Sequence, residues 1–242
     1  VIFNLLLDSS KFDKKLKYFI DFFKKNNKEI IDSFSDYYIK INTGMINNIE
    51  IEQLKIFVYF IIKTYFKSEL KRFTRNFWKE LFFFIKTALP GKKFIIDDYA
   101  FIIEKSNNKI ILIKNKIFND TQKNKLNFNQ NWYNSYFTVD NFNYLNSQPS
   151  KYKLLLNKKL AEEGIYIRRW KKGDRIYLNS RRKNKLVSDL LNENKLSVLQ
   201  KLIQPIIVNK SDDIIWIPGI INISVENTCQ NNELNLISWH KK

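Results

Sequence analysis

The spacing of the apolar residues changes at Gly91, and this change limits the chain to folds that combine helices with a sheet. Before Gly91, Phe, Leu and Ile recur three and four residues apart with lysines between them, as in amphipathic helices. After Gly91, short β-branched and aromatic runs predict strands. We therefore expect an α+β fold, with a helical bundle and a small β hairpin or meander followed by a compact C-terminal α+β domain.

Residues 1–118 are predicted to form the first domain. Its helices are expected at 11–31, at 48–66 with Asn48 as the N-cap, and from Ser68 to the stop at Pro90. Three strands are expected to follow, at 94–96, 99–103 and 110–113. The apolar stripes of the helices are interpreted as core rather than as a ligand pocket, because they recur at regular helical spacing.

The remainder of the chain is predicted to hold a connection and a second domain. Residues 119–151 are rich in Asn, Gln and Ser and have no regular spacing, so they are predicted as a linker, with an added strand near Tyr136–Val139. Residues 152–242 are predicted as a compact α+β domain. Its strands are expected at 165–168, 205–208, 214–217 and 234–239, and its helices at 185–192 and 197–203.

The charge and cysteine content narrow the choice of partner and compartment. Lys and Arg number 42 against 24 Asp and Glu, a formal net charge of +18, which favours a polyanion such as nucleic acid or an anionic membrane surface. The longest apolar run, Ile56–Ile62, is far shorter than the roughly 20 residues that span a bilayer. Cys229 is the only cysteine, which excludes an intramolecular disulfide and a cysteine-based metal site. We expect a cytoplasmic protein.

The sequence lacks the motifs of most catalytic sites. Its glycines are scattered, so no phosphate-binding loop is present and no cofactor is expected to bind this chain. His240, the only histidine, is expected to be a solvated terminal side chain, which excludes histidine-rich metal sites and disfavours a Ser-His pair. The acid pairs Asp97-Asp98, Glu162-Glu163 and Asp212-Asp213 are interpreted as solvated turns. No catalytic or metal-binding residue is predicted.

One segment is far more basic than the rest. From Arg168 to Lys185 it carries one acid, Asp174, and nine cations: Arg168, Arg169, Lys171, Lys172, Arg175, Arg181, Arg182, Lys183 and Lys185. Arginine binds phosphate through its planar fork, lysine acts as a point charge, and Trp170 can cover a ribose or a base. Charge alone is equally typical of an exposed face or a disordered loop. The segment is therefore a candidate RNA-binding surface.

The Gly173-Asp174 pair predicts a tight turn in this segment. Glycine permits the turn and brings backbone N–H groups near a bound phosphate. We expect Asp174 to hold Arg168 or Arg175 in place rather than to contact RNA itself. An ordinary β-turn accounts for the same two residues.

The order of these residues resembles the last domain of bacterial tRNA(Ile)-lysidine synthetases. That domain carries Arg-x-(Arg/Trp)-x-x-Gly-Asp, then Lys-x-x-x-Asp on a short helix, then a basic residue four before a Pro, then a Trp-x-x-Gly turn. The resemblance covers about 154–220, and the preceding elements agree in layout only. The matching residues are Arg168, Trp170, Gly173, Asp174, Lys185, Asp189, Lys201, Pro205, Trp216 and Gly219.

The chain departs from the family pattern at two positions in this region. Tyr177-Leu-Asn-Ser180 stands where the family usually has a Pro-x-Gly turn, so the loop geometry can differ. Lys201 replaces the usual arginine, which weakens bidentate phosphate recognition there. The family's N-terminal domain, with its ATP pyrophosphatase loop, is absent from a sequence that begins at Val1. We expect a fragment of a longer protein.

The resemblance implies an ATP-dependent carbon–nitrogen ligase that attaches lysine to the wobble cytidine of the isoleucine tRNA with a CAU anticodon. By this resemblance, the first domain is a substrate-recognition domain and the second is a tRNA-binding domain. The fragment is expected to be inactive alone and to supply recognition. ATP and Mg are implied only for the full-length enzyme, and L-lysine would bind through the missing catalytic domain. A homodimer is left open.

The resulting site prediction has two parts. The expected tRNA-binding residues are Arg168, Arg169, Trp170, Lys172, Arg175, Arg181, Arg182, Lys185 and Lys201. The expected turn-forming and orienting residues are Gly173, Asp174, Asp189, Trp216 and Gly219.

Two alternative functions share the positive charge. The first is a non-enzymatic basic RNA-binding module, for instance one associated with the ribosome. The second is a peripheral membrane protein that uses its lysine-rich amphipathic helices. Because the Phe-rich faces are better explained as core, no membrane partner is expected.

Overall fold

The chain forms two compact units, Val1–Asn119 and Asp120–Lys242. Each unit contains its own cluster of buried apolar side chains. The structure, a computed structural model, describes residues 17–18, 21–23, 25–42, 44, 49–104, 109–119, 122–127, 129–141, 150–157, 163–178, 183–222 and 234–241.

The first unit contains an antiparallel sheet of five strands among the described residues, in the order β1-β2-β5-β4-β3. The predicted three-stranded meander is present as β3–β5, and the hairpin β1–β2 adds two strands that were not predicted. The first predicted helix ends at Ile30, immediately before β1, and its residues 11–16, 19–20 and 24 lie outside the described ranges. The strands are β1 Ile31–Phe34, β2 Tyr38–Asn42, β3 Lys93–Ile96, β4 Tyr99–Glu104 and β5 Lys109–Lys114.

Among the described residues, the helices of the first unit with assigned bounds are α1 Asn27–Ile30, α2 Ile51–Tyr65, α3 Arg75–Thr87 and α4 Lys116–Asn119. The third predicted helix has its N-cap at Thr74, six residues after the predicted N-cap Ser68. The Thr74 hydroxyl accepts a hydrogen bond from the Phe77 N–H at 3.3 Å and caps α3. Leu70 and Phe73 precede the helix, yet both pack into the core. The apolar stripe that predicted one long helix therefore covers a non-helical segment and the helix that follows it.

The core of the first unit lies between the two long helices and the sheet. Leu54 and Ile61 of α2, Leu81 of α3 and Ile39 and Phe101 of the sheet are all buried in one cluster. This finding confirms that the apolar stripes of α2 and α3 form core; most of the predicted stripe in 11–31 lies outside the described residues.

The second unit contains two larger antiparallel sheets and a two-stranded hairpin within the described residues. Their strand orders are β15-β14-β13-β10-β6, β7-β8-β16-β9 and β11-β12. The strands are β6 Asn124–Lys125, β7 Gln130–Trp132, β8 Ser135–Asn141, β9 Lys153–Asn157, β10 Tyr166–Arg169, β11 Arg175–Leu178, β12 Lys183–Leu186, β13 Pro205–Val208, β14 Ile214–Ile217, β15 Ile221–Asn222 and β16 Leu234–Lys241; the helices are α5 Val187–Glu193 and α6 Val198–Ile203.

The range 119–151, predicted as a linker, supplies three of these strands. β6 pairs with β10, and β8 pairs with β16 along its whole length. Trp132 and Phe137 from this range are buried in the core of the second unit. These buried aromatic residues explain why the range packs into the unit instead of forming only a connection.

Most elements predicted for 152–242 are present. β13 and β14 have the predicted bounds, and the two helices begin at Val187 and Val198. Ser197 caps α6, since its hydroxyl accepts a hydrogen bond from the Gln200 N–H at 3.3 Å. β9, β11, β12 and β15 were not predicted. The α+β fold class is confirmed.

His240 is not the solvated terminal side chain that was expected. β16 extends through Lys241, and the His240 ring stacks on Tyr136 at 4.6 Å between ring centroids. Its Nε2 lies 3.1 Å from the Thr138 hydroxyl. The pairing of β16 with β8 therefore fixes a residue that the sequence placed at a free terminus.

Within the described parts of the chain, no helix has the length and apolar character needed to cross a membrane.

Candidate nucleic-acid interface

Arg168, the first residue of the matched motif, is the centre of a buried ion-pair cluster with Asp174 and Asp212. Its Nη1 and Nη2 donate to the two Asp174 carboxylate oxygens at 2.9 and 3.0 Å. Its Nε and Nη2 donate to the Asp212 carboxylate at 2.8 and 3.1 Å. Nη1 also donates to the Arg169 carbonyl at 3.0 Å. These contacts occupy all five N–H groups that a guanidinium carries. We call these three residues the Arg168 cluster.

The contacts within the cluster favour the charged forms of Arg168 and Asp212. Burial acts to lower the pKa of Arg168, but the hydrogen bonds to Asp174 and Asp212 and their negative charges outweigh it and raise that pKa above its usual value. Burial acts to raise the pKa of Asp212, but the hydrogen bonds from Arg168 and Lys171 and their positive charges hold it below its usual value. Two-point contacts of this kind make a buried guanidinium tolerable.

The cluster also fixes the turn that leads into β11. A carboxylate oxygen of Asp174 accepts a hydrogen bond from the Lys171 N–H at 2.7 Å, and the Asp174 N–H donates to the Lys171 carbonyl at 3.1 Å. Gly173 has φ +93°, which favours glycine. The Asp174 carbonyl accepts from the N–H of Val187, the first residue of α5. Of the two arginines that Asp174 was expected to hold, the structure places Arg168 against it.

The β11–β12 hairpin and the turn before it expose two cations and an aromatic ring. Ile176 is fully buried, and its neighbours Arg175 and Tyr177 are exposed, since side chains alternate along a strand. The Tyr177 side chain is 63% exposed. Lys172 is exposed on the preceding turn. We call Lys172, Arg175 and Tyr177 the hairpin surface.

Tyr177 was not among the predicted site residues. It appeared only as a departure from the family's Pro-x-Gly turn. The sequence carries little signal for it, because in Arg175-Ile176-Tyr177 a single apolar residue stands between two polar or amphipathic ones, and three residues are too few to show the alternation of a strand with one buried face.

Several predicted tRNA-binding residues are buried or half-buried in the second unit instead of lying on its surface. Arg168 and Arg169 are 3% and 8% exposed, so their guanidinium groups do not form part of the surface. A phosphate could reach Arg168 only by displacing a carboxylate. Trp170 is half-buried, and its indole N–H donates to the Lys201 carbonyl at 2.6 Å. Direct RNA contact by Arg168 or Arg169 disagrees with this burial, and we assign Arg168 the role of positioning the turn.

The lysines of the second half of the motif have partners on the protein. The Lys185 ammonium pairs with the Glu193 carboxylate at 2.5 Å, and the Lys201 ammonium donates to the Asn192 side-chain oxygen at 2.6 Å. Both lysines are partly exposed and can exchange these contacts for a phosphate, because exposed ion pairs contribute little stability. Asp189 is exposed. Arg181 and Arg182 lie outside the described residues.

Trp216 and Gly219 are the last two matched residues of the motif, and both pack against other residues of the second unit. Trp216 is fully buried, and its indole N–H donates to the Lys151 carbonyl at 3.1 Å. Gly219 has φ +75°, and a Cβ added to it would lie 2.7 Å from the Trp239 ring. Only glycine therefore fits this turn without strain.

No metal site accompanies the hairpin surface in the described ranges. No group of three or more His, Cys, Asp or Glu side chains is placed to hold an ion there. The carboxylates of Asp174 and Asp212 face Arg168 instead.

The second unit is thus an α+β unit with a cationic, aromatic-bearing hairpin held on a buried ion-pair cluster. No protein-family model and no curated protein matches the chain. Among solved structures, the chain is similar to one described as the crystal structure of the TilS C-terminal domain, with 16% sequence identity and a TM-score of 0.43. The similarity covers 50% of this chain and 96% of that one. A similarity of this size does not establish a shared fold.

Proposed function

We propose that this chain binds tRNA through the hairpin surface of its second unit. The observation that carries the proposal is the exposure of Arg175 and Tyr177 on β11 and of Lys172 on the preceding turn, which the Arg168 cluster fixes. Cations contact phosphates and an exposed aromatic ring stacks on bases or ribose, so the hairpin offers both parts of an RNA contact. A rigid base orients these side chains before the RNA binds, which reduces the entropic cost of binding.

We further propose that the chain acts as the C-terminal portion of a tRNA(Ile)-lysidine synthetase. The support is the order of the matched residues from Arg168 to Gly219, together with the net charge of +18. In this proposal the full-length ligase attaches lysine to the wobble cytidine of the CAU isoleucine tRNA using ATP. The present chain supplies recognition and no catalysis. Phosphate contacts position a large folded RNA, and contacts far from the reacting atoms supply discrimination.

A gel-shift titration against isoleucine tRNA with the CAU anticodon, at rising salt, tests the proposal. We expect this tRNA to bind at least about tenfold more tightly than a random RNA duplex of equal length, as discrimination of about 1.4 kcal/mol would give. Equal affinity for the two RNAs would contradict tRNA recognition. That result would favour a basic RNA-binding module without tRNA preference, in which the positive charge alone drives binding.

A further inference from the structure

A cleft in the second unit lies apart from the residues of the hairpin surface. It has a volume of about 520 Å³, and its lining includes Trp132, Lys151, Lys195, Trp239 and Lys241. Small-molecule sites typically have volumes of roughly 300–1,000 Å³. The cleft is therefore large enough to hold a single nucleotide.

The charge of the cleft is entirely positive among the described residues that line it. Lys151, Lys195 and Lys241 contribute cations, and no Asp or Glu of the described ranges is part of the lining. A concave site with charges of one sign concentrates counter-ions of the opposite sign. The cleft therefore favours an anionic ligand.

Lys195 occupies a backbone position that glycine usually fills. It follows the C-terminus of α5 with φ +54°. Its N–H donates to the Asn192 carbonyl, and the Leu196 N–H donates to the Leu191 carbonyl. These two bonds form a Schellman motif, which strongly prefers glycine at this residue. A lysine in this strained conformation places a cation at the cleft, and residues held in such conformations cluster at ligand sites.

Two tryptophans contribute aromatic surface to the lining. The Trp132 indole N–H donates to the Ile203 carbonyl at 2.8 Å. The Trp239 side chain is buried, and its indole N–H has no hydrogen-bond partner among the described residues. The Lys241 ammonium lies 5.0 Å from the centre of the Trp239 ring. Because the exposed part of Trp239 belongs to the lining, its ring contributes apolar surface to the cleft, and a cation already lies over that ring.

We propose that this cleft holds one unpaired nucleotide of the bound tRNA, with the phosphate on the lysines and the base against the tryptophans. This inference rests on the proposed function and names a second contact for the same RNA. Nucleotides combine an anion with a flat ring, which matches three cations beside two indole rings. A free mononucleotide has the same chemistry, so the experiment must separate the two sources.

The test is fluorescence anisotropy of a labelled single-stranded RNA tetranucleotide titrated with the full chain. The Lys195→Gln/Lys241→Gln double variant removes two charges and keeps side chains of similar length. We expect it to bind the tetranucleotide about tenfold more weakly than the original chain, as the loss of two phosphate contacts implies. Lys125→Gln, at an exposed residue of β6 outside the cleft lining, is the matched control and should bind within about twofold of the original chain. Thermal unfolding checks that all three proteins are folded.

Three results would overturn the cleft proposal. The first is a lack of tetranucleotide binding up to about 1 mM. The second is equal binding by the double variant and the original chain. The third is displacement of the tetranucleotide by a nucleoside monophosphate at equal or lower concentration, which would assign the cleft to a free nucleotide. The gel shift with isoleucine tRNA separates the two proposals, because tRNA preference without charge-dependent tetranucleotide binding rejects the cleft alone. Tetranucleotide binding without tRNA preference rejects the tRNA assignment.

Discussion

Replacing Arg168 by Ala should strongly destabilise the second unit. The Arg168 and Asp174 side chains are 4% and 6% exposed, so the substitution leaves the Asp174 carboxylate buried without the two hydrogen bonds from the guanidinium. Breaking a buried ion pair from one side costs about 3–5 kcal/mol. Asp212 is more exposed and also contacts Lys171, so it adds little to this cost. We expect the free energy of unfolding to fall by an amount in that range.

Urea denaturation followed by tryptophan fluorescence measures the effect. Four of the five tryptophans, all but Trp78, belong to the second unit, so the signal reports mainly on that unit. Arg175→Ala is the matched control, since Arg175 is exposed and surface substitutions usually change stability by less than about 0.5 kcal/mol. Equal stability of the Arg168→Ala and Arg175→Ala variants would refute the structural role of the Arg168 cluster.

Three further predictions concern single residues. Asp212→Asn should lower stability at pH 7, and the gap from the original chain should narrow as the pH falls below 3.8, the ordinary pKa of the carboxyl, towards its lowered pKa in the folded state, because protonation removes the stability that the ionised carboxyl contributes; urea midpoints at pH 7 and about 3 measure this, and a pH-independent gap would contradict it. Gly219→Ala should cost more than about 2 kcal/mol, because the new Cβ meets the Trp239 ring in a left-handed turn; an unchanged melting temperature would rule this out. Tyr177→Ala should weaken tRNA binding by about fivefold or more through lost stacking while leaving the melting temperature unchanged; unaltered affinity in a filter-binding assay would remove Tyr177 from the surface.

The elements predicted well from the sequence are those whose patterns are locally complete. β13 and β14 are continuous apolar runs bounded by turn residues, so their predicted bounds match the structure. The hairpin β1–β2 was missed because the helical spacing of 11–31 leads into it directly. The hairpin β11–β12 was not predicted for a different reason. Ile176 is the one apolar residue of β11 that the structure shows as buried, and a single residue does not reveal a period of two.

In the candidate site, too, contacts between residues close in the sequence were predicted, and contacts between residues far apart in the sequence were not. The Gly173-Asp174 turn and the attachment of Asp174 to a nearby arginine follow from residues six apart or fewer. The burial of Arg168 depends on Asp212, which lies 44 residues away in the chain. Strand pairing between β10, β13 and β14 brings the two together. Asp212 was therefore interpreted as a solvated turn residue, and Arg168 as an exposed cation.

The salt dependence of tRNA binding by the Lys172→Ala/Arg175→Ala double variant tests the central claim most directly. Each lost phosphate contact should flatten the slope of log affinity against log salt by about one unit. We predict a slope shallower by about two units for this variant, with an unchanged slope for Lys125→Ala and, under conditions where it is folded, for Arg168→Ala. A double variant with the same slope as the original chain would contradict the assignment of the hairpin surface as the tRNA contact.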